Sequence, residues 1–330
     1  MDQPDRSTAR LCADGAQRVE VWSGRCEMTA SEDTPFHEGE RRVQDRAGTR
    51  ARMDVAGPRL IRDHMPDQHR ELFEKLPYLI AGATDAAGQP WATILTGAPG
   101  FVTTTAQEMR IATLPDPLDQ AGQALHPGAA IGLLGIELST RRRNRMNGRV
   151  REVGPSGLTV DVVQSFGNCP KYIHIRQHHR LPQPRRVTRQ AETAALGSEA
   201  RALIESSDTF FIATTSGHQA ESRMQGPDVS HRGGEPGFVT VQTSDGGTRL
   251  LVPDYVGNGF FNTLGNLALD PRAGLLFVDF AQGHLLQLAA RADVIWHDAE
   301  TSAATGAARM LVLEITGGQW LRDALDLRWA

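Results

Sequence analysis

The chain has 330 residues, 40% hydrophobic and 22% charged, the profile of an ordinary globular protein with room for one to three domains. A formal charge of −4 argues against a protein whose main work is non-specific nucleic-acid binding. Cys12, Cys26 and Cys169 are odd in number and scattered, which fits neither a disulfide framework nor a zinc site.

Basic charge comes almost wholly from arginine, with Lys75 and Lys171 the two lysines. No apolar run approaches the ~20 residues of a membrane helix, and the first residues lack the apolar core of a secretory signal. A cytoplasmic protein without membrane contact is the expectation.

Residues 1–35 are polar and aperiodic, and read as a flexible arm. From Phe36 to about Leu76 the pattern is helical. It carries a break at Gly57-Pro58 and a second helix opened by Pro66, with Leu72, Phe73 and Leu76 as its apolar stripe. From Pro77 the texture changes to short strand-like runs such as YLIAGAT and WATILTG, punctuated by glycine and proline.

An internal repeat organises the rest. GQPWATILTGAPGFVT, ending at Thr103, aligns with QGPDVSHRGGEPGFVT, ending at Thr240. RIATLPD (Arg110–Asp116) aligns with RLLVPD (Arg249–Asp254), and IGLLGIEL (Ile131–Leu138) with AGLLFVDF (Ala273–Phe280). Order is kept and the offset nearly constant, so the chain holds two copies of one β-rich unit, about Pro77–Tyr172 and Asp208–Trp296. The expected division is a helical lead-in and first copy over 36–185, then a connecting helix (AETAALGSEARALIES) and second copy over 186–330. Each copy has strands enough for a small barrel, and two copies would pack about a pseudo-two-fold axis.

The copies differ where chemistry is expected. Pro90-Trp91-Ala92-Thr93-Ile94-Leu95 is apolar, whereas its counterpart Pro227-Asp228-Val229-Ser230-His231-Arg232 is polar and suits a strand end facing solvent or a ligand. After the shared Pro-Asp the second copy alone continues through Tyr255, Gly257, Asn258, Gly259, Asn262, Thr263 and Asn266. Glycines allow close approach, the amides supply neutral donors, and Arg232 can hold a phosphate. Turns use the same residue types, so a plain loop is the blander reading.

PDVSHRGGEPGFV and LLVPDYVGNGFFNTLGNLALDPRAGLLFVDF resemble the pyridoxamine 5'-phosphate oxidase-related FMN-binding split-barrel family, in its duplicated-barrel subgroup. PFHEGERRVQDRAG, PWATILTGAPGFV and SFGNCPKYI (Ser165–Ile173) share the resemblance, which covers nearly everything after residue 35. It implies a mainly β fold with flanking helices, built as two tandem Greek-key split β-barrels forming a pseudo-dimer. It also implies non-covalent FMN at the barrel–barrel interface and FMN-dependent oxidoreductase chemistry on a small-molecule substrate or with a redox partner protein. Carried over position by position, the cofactor contacts are Ser230, His231, Arg232, Tyr255, Asn258, Asn262, Thr263 and Asn266. Lys171 and Tyr172, with Asn168 beside them, would reach in from the end of the first copy. A polar strand in one copy only implies one flavin per pseudo-dimer. Relatives in this fold also bind haem or deazaflavin, so a non-catalytic flavin- or haem-binding module stays open, as does a homodimer.

Three further clusters read as structural. His174, His178 and His179 have helical metal-ligand spacing but no completing carboxylate or cysteine, and arginines crowd them. RRRNR (Arg141–Arg145) sits where a solvated hairpin turn is expected. Cys169 has no adjacent base to activate it and reads as a packing residue.

Overall fold

The computed structural model describes residues 34–182, 186–217 and 224–330. The arm expected to be flexible, with Cys12 and Cys26, lies almost wholly outside the described residues. Three helices lead in: α1 (Glu38–Arg46), α2 (Arg50–Leu60) and α3 (Asp67–Lys75). Pro66 caps α3, and Leu72 and Phe73 on its inner face are fully buried. Gly57-Pro58 does not break the chain as expected. Pro58 falls in the last turn of α2, and Gly57 lies against the Phe36 ring, where a side chain would collide.

The first copy holds β1 (Tyr78–Thr84), β2 (Pro90–Thr96), β3 (Val102–Thr104), β4 (Glu108–Ile111), α4 (Gln120–Gln123), β5 (Ala130–Glu137), β6 (Arg142–Gly154) and β7 (Gly157–Gly167). The connector carries β8 (His178–Arg180), β9 (Thr188–Glu192) and α5 (Ser198–Ser206). Part of the expected connecting helix is therefore strand: β9 adds to the second sheet and α5 starts only at Ser198. The second copy holds β10 (Thr209–Thr215), β11 (Pro227–Gly233), β12 (Thr240–Ser244), β13 (Gly247–Tyr255), α6 (Asn262–Leu267), β14 (Arg272–Asp279), β15 (His284–Trp296), α7 (Ala299–Thr305) and β16 (Ala307–Arg322). Its last long strand lies beyond Trp296, the end expected from the repeat, because α7 interrupts the pattern first. β17 (Leu327–Trp329) closes the chain by pairing with β8. His178 and His179 are thus strand residues, and no metal-binding group of His, Cys, Asp or Glu occurs among the described residues.

The two sheets share one topology. The first runs β2-β1-β5-β6-β7-β4-β3 and the second β11-β10-β14-β15-β16-β13-β12, antiparallel throughout. Each curls around its own core without pairing its ends, a split barrel. Leu79, Leu133, Met146 and Val160 are among the residues filling the first, and Phe210, Leu275, Phe277 and Leu313 the second. This is the mainly β, tandem architecture with flanking helices.

A third core lies between the barrels and belongs to both. Ile80, Leu134 and Ile136 of one copy meet Phe211, Leu276 and Val278 of the other. β2 packs on β14 while its counterpart β11 packs on β5, the reciprocal pattern of a two-fold interface. The equivalent glycines Gly132 and Gly274 sit at those crossings, against the backbones of Pro227–Asp228 and Pro90–Trp91. A Cβ at either would force the barrels apart. Fully burying each large aliphatic or aromatic side chain contributes about 1.5–3 kcal/mol, so this seam holds the copies together strongly.

Candidate functional site

The polar strand β11 runs along the seam. Asp228, Ser230 and His231 are buried there rather than solvated. Facing them across the seam is β6 of the first copy. Its backbone alternation puts Arg143 and Arg145 on one side and Met146 in the barrel core. The arginines expected in a solvated turn are therefore strand residues, Arg145 buried and Arg143 half-buried. The turn itself is one position earlier, where Arg141 takes a left-handed conformation.

Between these strands, the 255–264 segment and the 168–172 tail of the first copy lies a cleft of about 840 Å³, open mouth included. Ser230, His231, Arg232, Tyr255, Asn258, Asn262, Thr263, Lys171 and Tyr172 all line it, as do Asn168 and Cys169. Asn266 does not. It is a buried bridge in which His37 Nε2 donates to its Oδ1 (2.9 Å) and its Nδ2 donates to Thr214 Oγ1 (3.1 Å). It borders a separate cleft on the far side of the wall.

Sequence reasoning missed three arginines and two carboxylates. Arg145 Nη1 donates to both oxygens of Asp228 (2.8 and 2.9 Å) and to Asn262 Oδ1 (3.0 Å), and its Nη2 to Ser230 Oγ (2.6 Å). Ser230 also accepts from Thr263 Oγ1 (2.8 Å). Arg232 does not point freely into the cleft: it pairs with Asp254, which Arg309 Nε also reaches at 2.7 Å. Arg309 is itself held between the rings of Phe261 and Trp296, each 4.9 Å from its guanidinium. A period-two reading of RRRNRMNGRV would have placed Arg143 and Arg145 on one strand face. Their meeting with β11 is a tertiary fact.

The charge balance follows. Arg143, Arg145, Arg232, Arg309 and Lys171 face the cleft, against the two carboxylates Asp228 and Asp254 that pair with three of them. Arg143 has no carboxylate partner among the described residues. Its Nε donates to the Cys169 carbonyl (2.7 Å) and its Nη1 to His231 Nδ1 (3.0 Å). Burial, with Arg145 and Arg232 nearby, lowers its pKa to about 10, so it stays charged at neutral pH.

A guanidinium can only donate, which makes His231 Nδ1 the acceptor and puts the ring proton on Nε2. Burial and the neighbouring arginines hold His231 well below the ordinary histidine range, so the ring is neutral. Among the described residues Nε2 has no partner; nor have Arg145 Nε, Arg232 Nε and Asn168 Nδ2, all buried side-chain atoms of cleft-lining residues. All four are donors.

Support comes from the lead-in helix. α1 packs on α6 so closely that Gly39 and Gly265 touch backbone to backbone. Glu40, buried there, accepts from the His37 backbone N–H (3.0 Å) and from Asn262 Nδ2 (2.5 Å). Burial pushes its pKa up to about 8. Across the mouth, Tyr172 stacks on Tyr255 at 5.1 Å, and Asn258 Nδ2 donates to Asn168 Oδ1 at 3.1 Å. The first-copy tail and the second-copy loop therefore close on one another.

No protein-family model matches the chain, and comparison with curated proteins gives no match. Solved structures do. A protein provisionally assigned as a pyridoxamine 5'-phosphate oxidase from Lactobacillus delbrueckii matches at 16% identity and TM-score 0.29, over 39% of this chain and 98% of that one. HupZ from Group A Streptococcus matches at 13% and 0.27, over 36% and 93%. HutZ, the haem storage protein of Vibrio cholerae, matches at 16% and 0.24, over 39% and 95%. Likenesses of this size say nothing of what this cleft binds.

The duplication supplies an internal comparison. Strand registers put Thr93 in the place of Ser230, Gln287 in that of Arg145 and Leu285 in that of Arg143. There Asp119 accepts from Thr93 Oγ1 and from Gln287 Nε2 (2.9 Å). Gln319 Nε2 donates to Gln287 Oε1 at 2.9 Å. The donors are spent on acceptors already present, and the arginines are gone. At the second seam site these side chains satisfy one another.

Proposed function

We propose that the cleft binds one flavin mononucleotide per chain and that the protein is an FMN-dependent oxidoreductase of the pyridoxamine 5'-phosphate oxidase-like type. The single observation that carries this reading is the unbalanced cleft. Three positive charges in excess, with four unpartnered donors on the side chains that line it, favour an anion rich in acceptors, which a phosphate monoester is. Arg143, Arg145, Arg232 and the amides of Asn168, Asn258 and Asn262 would hold the phosphate and the flavin's carbonyl edge, with the tyrosine rings at the mouth offering flat contact surface. When bound, FMN supplies the hydride and electron chemistry, while the protein sets position and electrostatics. Substrate or redox partner protein would approach from the Tyr172 side, where that residue is 40% exposed.

A haem-binding module is the alternative within this fold. The tautomer of His231 speaks against it. The one imidazole lining the cleft among the described residues has its free nitrogen protonated, so it donates to an acceptor and offers no lone pair to iron.

The test is an absorption spectrum of the purified protein followed by titration with FMN and with riboflavin. A yellow protein that binds FMN at least tenfold more tightly than riboflavin is expected, as charge-assisted hydrogen bonds of about 1.5–3 kcal/mol would give. Equal affinity for the two, or a haem spectrum, would refute it.

A further inference from the structure

We infer that Arg143, a residue of the first copy, is the specificity-determining cation for the ligand's anionic group, and that it works with His231 Nε2–H as a second donor. This rests on the flavin reading for the identity of the ligand but not for its charge. Three of the cleft's five cations already answer to carboxylates: Arg145 to Asp228, and Arg232 and Arg309 to the shared Asp254. Lys171 has no carboxylate partner among the described residues but is exposed, where water and salt weaken it. Arg143 is half-buried and has no carboxylate partner among the described residues, so its field on a bound anion is the strongest available.

Its two contacts are to neutral acceptors, the Cys169 carbonyl and His231 Nδ1, and leave its charge uncompensated. They also fix the guanidinium before any ligand arrives, which cuts the ordering cost of binding. The same contact turns His231 into a donor: its buried Nε2–H is without a partner in the wall of the cleft. One arginine thus places two donors on two different copies of the barrel. In the counterpart site Leu285 stands where Arg143 stands.

The experiment compares wild type, Arg143→Leu (copying Leu285) and Arg143→Lys by titration with FMN, riboflavin and inorganic phosphate. Folding is checked by thermal unfolding. Arg143→Leu is expected to weaken FMN about 10–100-fold and to leave riboflavin within about twofold. Arg143→Lys, which keeps charge but not both tethers, should fall between. Equal losses for FMN and riboflavin would show a merely structural residue, and no loss would show an irrelevant one. Either overturns the inference. If Arg143→Leu does not fold, the same FMN-to-riboflavin ratio measured on Arg143→Lys decides. Wild type that binds inorganic phosphate through Arg143 but neither flavin would remove the flavin reading and leave this inference standing. Wild type that binds neither phosphate nor FMN would end it.

Discussion

His69 sits on α3 at 6% exposure, its Nδ1 2.8 Å from Ser165 Oγ, with Arg62, Arg142 and His64 nearby. Burial and those neighbours lower its pKa to about 4. The folded state therefore refuses a proton that the unfolded chain accepts near pH 6.5. The stability tied to neutral His69 is complete above pH 6.5 and is lost as pH falls through about 4. Between pH 7 and pH 5 this one residue should cost about 1–2 kcal/mol, and His69→Gln, which does not titrate, should remove that part of the pH dependence. Urea midpoints for both proteins at the two pH values check it, and identical pH slopes would contradict it. His37 shifts the same way and Glu40 the opposite way, which is why the comparison is made between variants.

At this scale the sequence was half legible. The polar substitution of β11 and the asparagine loop stood out because the first copy offers an apolar version to compare. Arg143 and Arg145 did not. A run of arginines looks solvated until the opposite wall is known, and that wall lies more than 80 positions away, in Asp228, Ser230 and His231. Asn266 failed for the reverse reason: it belongs to the same motif as Asn262, but the helix turns it toward His37.

Among elements, the α1–α6 contact decides whether the cleft keeps its shape. Gly265 lies against the Glu40 backbone, and α1 in turn fixes Asn262 through Glu40 and the Phe260 carbonyl through Gln44. Gly265→Ala cannot be accommodated without moving α1, an overpacking worth about 1–3 kcal/mol. We expect a lowered Tm together with weaker FMN binding, read by thermal unfolding and flavin fluorescence. An unchanged Tm would mean that the two helices can slide apart freely. The helical pattern of α1 is legible in the sequence, whereas α6 and the contact between the two are not. Strand segments were legible through the repeat, because both copies had to satisfy one topology, whereas β9 and α7 interrupt it and escaped notice.

For the whole molecule, the pseudo-two-fold seam explains why one chain should bind once. Symmetry offers two equivalent places. In one, β6 of the first copy brings arginines to a polar strand; in the other, Gln287, Gln319, Thr93 and Asp119 satisfy each other. Duplication within a chain permits that divergence, since each copy mutates alone, and a homodimer of single barrels could not achieve it. The most direct measurement is the binding stoichiometry of FMN, by calorimetric titration of the protein freed of any flavin and by phosphorus content of the saturated protein. One FMN per chain is predicted, bound at the Arg143–His231 site. Two per chain would show the second seam site to be open, and none would contradict the account of the cleft.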